Sequence, residues 1–164
     1  MKKKNINSDL TLYFKRDFPK VYSKKTDRKY EVYLGIGGNI GDMFQRFGIL
    51  LKQFYNDGKI ALQTTSPLLK NPPFGYLEQN DFLNGVIKFG TNIPPSYLLF
   101  ILQRYEKRFG RKRSFKDAPR TLDLDIIFIK RNGKNMKIKM KNLEVPHKNW
   151  KERDSVVIPL MYIE

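Results

Sequence analysis

The sequence predicts an α+β domain in which an antiparallel sheet carries two packed helices. Three observations point there. Apolar residues recur at strand spacing in four stretches and at helical spacing in two. Those stretches follow one another as strand, helix, strand, strand, helix, strand. Hydrophobic residues make up 40% and aromatics 13% of the 164 residues, enough for the core of one domain.

Residues 1–29 are polar and basic, with scattered Leu12, Tyr13, Phe14, Phe18, Val21 and Tyr22. They read as a basic N-terminal extension, frayed or lying over the core, ahead of a domain at 30–164. Tyr30–Ile36 is the first strand. It runs into a segment with glycine at 35, 37, 38 and 41, read as a tight turn that brings backbone close to another group. Asp42 is placed to cap a helix on which Phe44, Phe47, Leu50, Leu51 and Phe54 share a face, with Gly58 beyond its end.

Ile60–Thr65 is the second strand and Ser66–Asn80 a loop stiffened by Pro72 and Pro73. Phe82–Phe89 is the third strand. Pro94-Pro95 opens a helix through Phe109, with Leu98, Leu102, Tyr105 and Phe109 on one face and Gly110 as its stop. A basic loop leads to a fourth strand, Thr121–Ile129. A Lys-rich, hairpin-like connection at 130–141 turns at Asn132-Gly133. Val145-Pro146-His147, a short helix or turn and an apolar segment, Val156–Ile163, close the chain. The order matches the ferredoxin-like βαββαβ plan, which hosts many functions and decides none.

Composition excludes several chemistries. The chain has no Cys, so disulfides, thiolate metal sites and cysteine nucleophiles are out. His147 is the single histidine, so a bound metal must rest on oxygen ligands, which favours Mg²⁺, Mn²⁺ or Ca²⁺. The longest apolar run, Tyr97–Leu102, is far too short for a membrane span. No apolar stretch follows Met1-Lys2-Lys3-Lys4, so no secretory signal is expected and a cytoplasmic protein is. The net charge of +16 attracts polyanions such as nucleotides or nucleic acid, or reflects a solvated lysine-rich surface.

Asp123-Leu124-Asp125 is the sharpest chemical feature. On a strand, positions i and i+2 share a face, so two carboxylates stand side by side. They repel unless a cation lies between them, and Mg²⁺ takes a few carboxylates together with substrate phosphates. The alternative is a pair of solvated aspartates. Seven basic residues, Lys107, Arg108, Arg111, Lys112, Arg113, Lys116 and Arg120, stand just before the pair against one acidic residue, Asp117. Such a loop clamps phosphate oxygens and with Mg²⁺ forms a coherent phosphoryl-transfer site. An RNA-binding loop is the competing reading. Against it, the carboxylates repel phosphates and no RNP-like run is present. Asn71-Pro72-Pro73-Phe74 and Phe82-Leu83-Asn84 offer a rigid loop, an aromatic ring and an amide for a flat heterocycle; as structural residues, Phe82 would be core and Asn84 a backbone cap.

In combination these segments resemble the 6-hydroxymethyl-7,8-dihydropterin pyrophosphokinase family. The resemblance runs through Tyr33–Asp42, Ser66–Gly75, Gln79–Asn84, Gln103-x-x-Glu106, Gly110-Arg111-x-Arg113, Lys116–Asp125, Val145-Pro146-His147 and Arg153. Its most specific part is Pro119-Arg120-x-x-Asp123-x-Asp125. It implies transfer of pyrophosphate from ATP to the hydroxymethyl group of a reduced pterin, with release of AMP. It implies two Mg²⁺ ions on Asp123 and Asp125, and catalytic roles for Arg111 and Arg120 beside that pair. It places Gln103, Glu106, Arg113, Lys116, Arg120, His147 and Arg153 at the ATP site. It places Gly37, Asn71, Pro73, Phe74, Phe82 and Asn84 at the pterin site.

The chain departs from the family's pattern at five of these positions. Lys116 stands where Arg is common, Asp117 where Trp is frequent, Ala118 where Gly is usual, Phe82 where Tyr is usual, and Ser155 where an aromatic is frequent. The expected partners are ATP and the reduced pterin, with no membrane and no nucleic acid. A monomer or weak dimer is expected.

Overall fold

The computed structural model describes residues 1–112 and 114–163. Fourteen regular elements follow in order. They are β1 (Lys2–Asn5), β2 (Thr11–Phe14), β3 (Lys20–Val21), β4 (Tyr30–Gly38), α1 (Met43–Tyr55), β5 (Ala61–Thr65) and β6 (Leu68–Asn71), then β7 (Phe82–Thr91), α2 (Pro95–Arg108), β8 (Asp123–Arg131), β9 (Lys134–Asn135), β10 (Ile138–Met140), β11 (Leu143–Val145) and α3 (Asp154–Leu160). A 3-10 turn at Trp150–Glu152 precedes α3. The fold is α+β, with antiparallel pairing between the strands.

The main sheet has nine strands, with the path β1-β2-β6-β7-β4-β8-β9. β5 pairs with β7 beyond the end of β6 and carries β3 on its other edge. The core lies between the sheet and helices α1 and α2. Phe47, Leu50, Leu51 and Phe54 of α1 and Leu98, Ile101, Leu102 and Tyr105 of α2 are buried there against Val32, Leu34, Ile87 and Phe89. Each such side chain contributes roughly 1.5–3 kcal/mol of apolar burial. Asp42 caps α1 by accepting from the Gln45 backbone N–H at 3.0 Å. Gly110 ends the α2 turn with φ +81°. The Asn132-Gly133 turn has φ +53° and +75°, the double left-handed geometry that joins β8 to β9.

Four segments differ from the sequence reading. Residues 1–29 form strands rather than a frayed arm: β2 pairs with β6 through Thr11–Lys70 and Leu12–Leu69, and β3 pairs with β5. Phe44, expected on the core face of α1, is half-buried and packs edge-on against Tyr13 of this extension, centroids 5.1 Å apart. The stretch read as a loop from Ser66 contains β6, which exists because both β2 and β7 offer it partners. The closing apolar segment begins earlier, as helix α3 from Asp154, and packs Val156 against Tyr33 and Ile127 of the sheet. Ile138–Met140 and Leu143–Val145, within and just after the expected connection, form their own two-stranded sheet.

Candidate active site

The site forms at one end of the three central strands. In register, Gly37 of β4 stands between Asn84 of β7 and Asp123 of β8. Gly35 pairs with Asp125 in the same way. A Cβ on Gly37 would lie 2.4 Å from Asn84 Oδ1, so the missing side chain is what lets Asn84 occupy that face. The glycines thus act through the sheet rather than through a tight turn. Gly35, Gly37 and Gly38 all belong to β4, and Gly41 alone of the four has a left-handed φ, +75°.

Above this floor opens a cavity of about 630 Å³. Its lining brings together Gly37, Asn71, Pro73, Phe74, Phe82, Asn84, Gln103, Glu106, Arg111, Arg120, Asp123, Asp125, His147 and Arg153. Residues separated by more than a hundred positions therefore share one wall. Lys116 is exposed and does not line the cavity. Arg113 lies outside the described residues.

The charges are interlocked. Arg111 Nη1 donates to both Glu106 Oε2 and Asp123 Oδ1, each at 2.6 Å. Arg120 Nη1 donates to Asp123 Oδ2 at 3.2 Å. The Leu124 backbone N–H donates to Glu106 Oε2 at 2.8 Å, tying α2 to β8. Burial raises the pKa of Glu106, with the Leu124 N–H and Arg111 opposing. Burial tends to lower the pKa of Arg111, but Asp123 and Glu106 outweigh it and hold the guanidinium above its ordinary value. Burial, reinforced by the neighbouring Asp123 charge, pushes Asp125 up to about 8. His147 is lowered by burial and by the Arg153 charge, and its Nδ1 is buried with no partner among the described residues.

The carboxylate pair fits a magnesium ion. Asp125 is half-buried beside a second carboxylate, an arrangement that a divalent cation relieves. Among the described residues no group of three or more acidic, His or Cys side chains could hold a metal by itself. An ion on this pair would complete its shell with phosphate oxygens and water, as Mg²⁺ does at phosphoryl-transfer sites.

Three residues without an assigned role in the sequence reading organise the loops. Asn39 is buried and donates from Nδ2 to Gln79 Oε1 at 2.8 Å and to the Asn80 carbonyl at 2.9 Å. Its Oδ1 accepts from the Arg120 backbone N–H at 2.9 Å, and its own N–H donates to the Arg120 carbonyl. Gln79 Nε2 continues the chain to the Asp117 carbonyl at 2.8 Å. Arg46 of α1 donates to the carbonyls of Ile40 and Thr121. The sequence signal for Asn39 is an asparagine directly after the Gly37-Gly38 pair. Asn142 and Asp154 also line the cavity, with no such signal.

The cavity combines a carboxylate pair, two arginines anchored on it and an amide-lined recess, the equipment of an enzyme that moves phosphoryl groups. The profile of the 7,8-dihydro-6-hydroxymethylpterin-pyrophosphokinase family matches residues 33–164. Relatives named 2-amino-4-hydroxy-6-hydroxymethyldihydropteridine pyrophosphokinase include that of Campylobacter jejuni, 42% identical over 145 residues, 88% of this chain and 90% of that protein. That of Helicobacter pylori is 39% identical over 147 residues, 88% of each chain. That of Aquifex aeolicus is 37% identical over 134 residues, 81% of this chain and 79% of its own. The chain belongs to the 7,8-dihydro-6-hydroxymethylpterin-pyrophosphokinase family. Matches covering 88% of the chain cannot fit within 30–164, so they include part of the N-terminal extension.

Proposed function

We propose that this protein is an ATP-dependent pyrophosphokinase of folate synthesis. It transfers the β,γ-pyrophosphoryl group of ATP to the hydroxymethyl oxygen of 6-hydroxymethyl-7,8-dihydropterin and releases AMP. The observation that carries the reading is the Asp123–Asp125 pair, its Asp123 bonded to Arg111 and Arg120, in the same cavity as the Gly37–Asn84 recess. In the transfer, the hydroxymethyl oxygen forms a bond to the β-phosphorus in line, and the bond from that phosphorus to the AMP oxygen breaks. Asp123 and Asp125 would hold two Mg²⁺ ions. When bound, these neutralise phosphate charge and acidify the attacking hydroxyl.

This chain's own groups do the positioning. Arg111 and Arg120, paired with Asp123 in this arrangement, turn to the triphosphate. Gln103, Glu106, His147 and Arg153 form the nucleotide side, and the proposed phosphate contacts of Arg113 and Lys116 come from the basic loop, Lys116 standing off the cavity wall. Asn84, whose Nδ2 donates to Asn71 Oδ1 at 2.6 Å, holds the amide edge of the pterin side with Gly37, Pro73, Phe74 and Phe82. The hydroxyl proton leaves as the oxygen bonds to phosphorus; Asp123 and Asp125 are candidate acceptors, and no dedicated base stands out among the described residues.

The strand order β8-β4-β7-β6, with α1 and α2 on one face, supports the ferredoxin-like reading of the 30–164 pyrophosphokinase domain, with 1–29 as its extension. Among the described residues no helix is long and apolar enough to cross a membrane. A cytoplasmic location and a monomer or weak dimer remain part of the proposal. Asp123 and Asp125 on the floor disfavour a nucleic-acid backbone there.

The test is AMP formation from ATP with and without the dihydropterin and with and without Mg²⁺. AMP that depends on both is the expected result. Asp123→Ala and Asp125→Ala should each abolish turnover with native secondary structure retained. Near-normal activity in either variant would overturn the metal assignment.

A further inference from the structure

We propose that Leu10, on the N-terminal extension, is a specificity-determining residue that supplies an apolar wall to the heterocycle end of the cavity. The proposal rests on the pyrophosphokinase reading and deepens it. Leu10 lines the cavity although it lies some sixty residues before the Asn71–Phe74 loop, and it is 8% exposed. The sheet register explains how it arrives there. Thr11 pairs with Lys70 and Leu12 with Leu69, so one step further Leu10 stands level with Asn71, where β6 hands over to the proline loop.

Its position is fixed on every side. The Leu10 N–H donates to Asn7 Oδ1 at 2.9 Å, and its carbonyl accepts from the Ile6 N–H at 2.8 Å. The Asp9 N–H also donates to Asn7 Oδ1, at 2.8 Å, closing the turn between β1 and β2. Beneath it, Leu12 and Leu69 are fully buried, with Phe14 and Ile158 packed alongside. Ile158 belongs to α3, whose Ser155 and Val156 line the same cavity. Ser155 adds a polar residue to this lining, and Leu10, whose cluster packs Ile158 of the same helix, adds branched carbon.

A reduced pterin has a polar edge and two apolar faces. Asn84 and Asn71 suit the edge, Phe82 offers an aromatic surface, and Leu10 adds an aliphatic one. A rigid aliphatic wall beside a ring selects for flat, unsubstituted heterocycles and against bulkier ones.

Leu10→Ala is the test and Leu12→Ala its control, because Leu12 is buried in the same cluster but does not line the cavity. Leu10→Ala should weaken dihydropterin binding about ten-fold, the effect of losing a few buried carbons. KM for ATP should stay unchanged. Leu12→Ala should lower the melting temperature at least as much and leave both substrate constants unaltered. The dihydropterin is titrated directly, with a non-hydrolysable ATP analogue present, so that binding is read without turnover. An unchanged pterin Kd in Leu10→Ala, or equal pterin shifts in both variants, overturns the assignment of Leu10 alone. A wild-type protein that binds no pterin overturns the functional reading and this assignment with it.

Discussion

Replacing Asn39 by alanine should cost both stability and turnover, because one buried amide joins three loops. The side chain is 4% exposed and makes three hydrogen bonds, to Gln79 Oε1, the Asn80 carbonyl and the Arg120 N–H, at 2.8–2.9 Å. At about 1 kcal/mol net for each bond, the ceiling is about 3 kcal/mol. The backbone bond from the Asn39 N–H to the Arg120 carbonyl survives, so a loss of about 2–3 kcal/mol is expected. In a chain of this length that lowers Tm by about 4–12 °C. The Arg120 side chain reaches Asp123 from the backbone that Asn39 holds, so kcat should fall with stability. Asn39→Asp keeps the acceptor for Arg120 but sets a buried carboxylate oxygen against Gln79 Oε1 and the Asn80 carbonyl, and should be at least as damaging as alanine. Urea unfolding followed by tryptophan fluorescence at Trp150, alongside steady-state AMP release, reads both effects. An alanine variant within about 0.5 kcal/mol of wild type, turning over normally, would refute the loop-joining role.

Gly37→Ala drives a Cβ to within 2.4 Å of Asn84 Oδ1, displacing the amide that bonds Asn71. KM for the dihydropterin should rise while KM for ATP stays near wild type; equal rises in both would place the defect elsewhere. Arg120→Ala removes the guanidinium proposed to meet the phosphates and should cost about 2–4 kcal/mol in kcat/KM, as lost transition-state donors do. A variant with unchanged kcat/KM would remove Arg120 from the phosphate site. Tyr105 donates its hydroxyl to Asp57 Oδ2 at 2.6 Å, and burial, then that bond, pushes its pKa up to about 12. Tyr105→Phe should lose about 1–2 kcal/mol at neutral pH. Because the folded value lies above the ordinary 10, that difference is fully present below pH 10 and fades as pH climbs toward 12. A wild-type-minus-variant gap in chemical unfolding that is constant across this window would contradict the pairing.

Legibility in the sequence followed local signals. The strands β4, β7 and β8 and the helices α1 and α2 were readable because apolar spacing, the Asp42 cap and the Gly110 stop all lie within a few residues of what they specify. β1 was not readable: Lys2–Asn5 is exposed throughout and has no alternation, and it is a strand because β2 provides a ladder. β6 likewise depends on partners on both sides. In the site, Asp123 and Asp125 were legible because strand period puts them on one face. Leu10 carried no local mark, since its place depends on the register between β2 and β6. The glycine segment was read half correctly: Gly37 and Gly38 do permit close approach of neighbouring side chains, but Gly35, Gly37 and Gly38 do so within strand β4 rather than in a tight turn. The exposed Lys116 shows that motif alignment fixes a position in the chain more firmly than a position in the cavity.

The branched sheet ends in three outer strands, β1, β3 and β9, of four, two and two residues. Each carries lysine: Lys2, Lys3 and Lys4 on β1, Lys20 on β3, Lys134 on β9. An open sheet of this width exposes rows of unpaired amides and carbonyls that another molecule could extend. Two copies meeting edge to edge through β1 would crowd six lysines along one short seam. Part of the +16 charge therefore sits on sheet edges rather than in the cavity, where it opposes strand-by-strand aggregation. Neutralising Lys2–Lys4 should leave the chemistry alone and shorten the time the protein stays dispersed at high concentration.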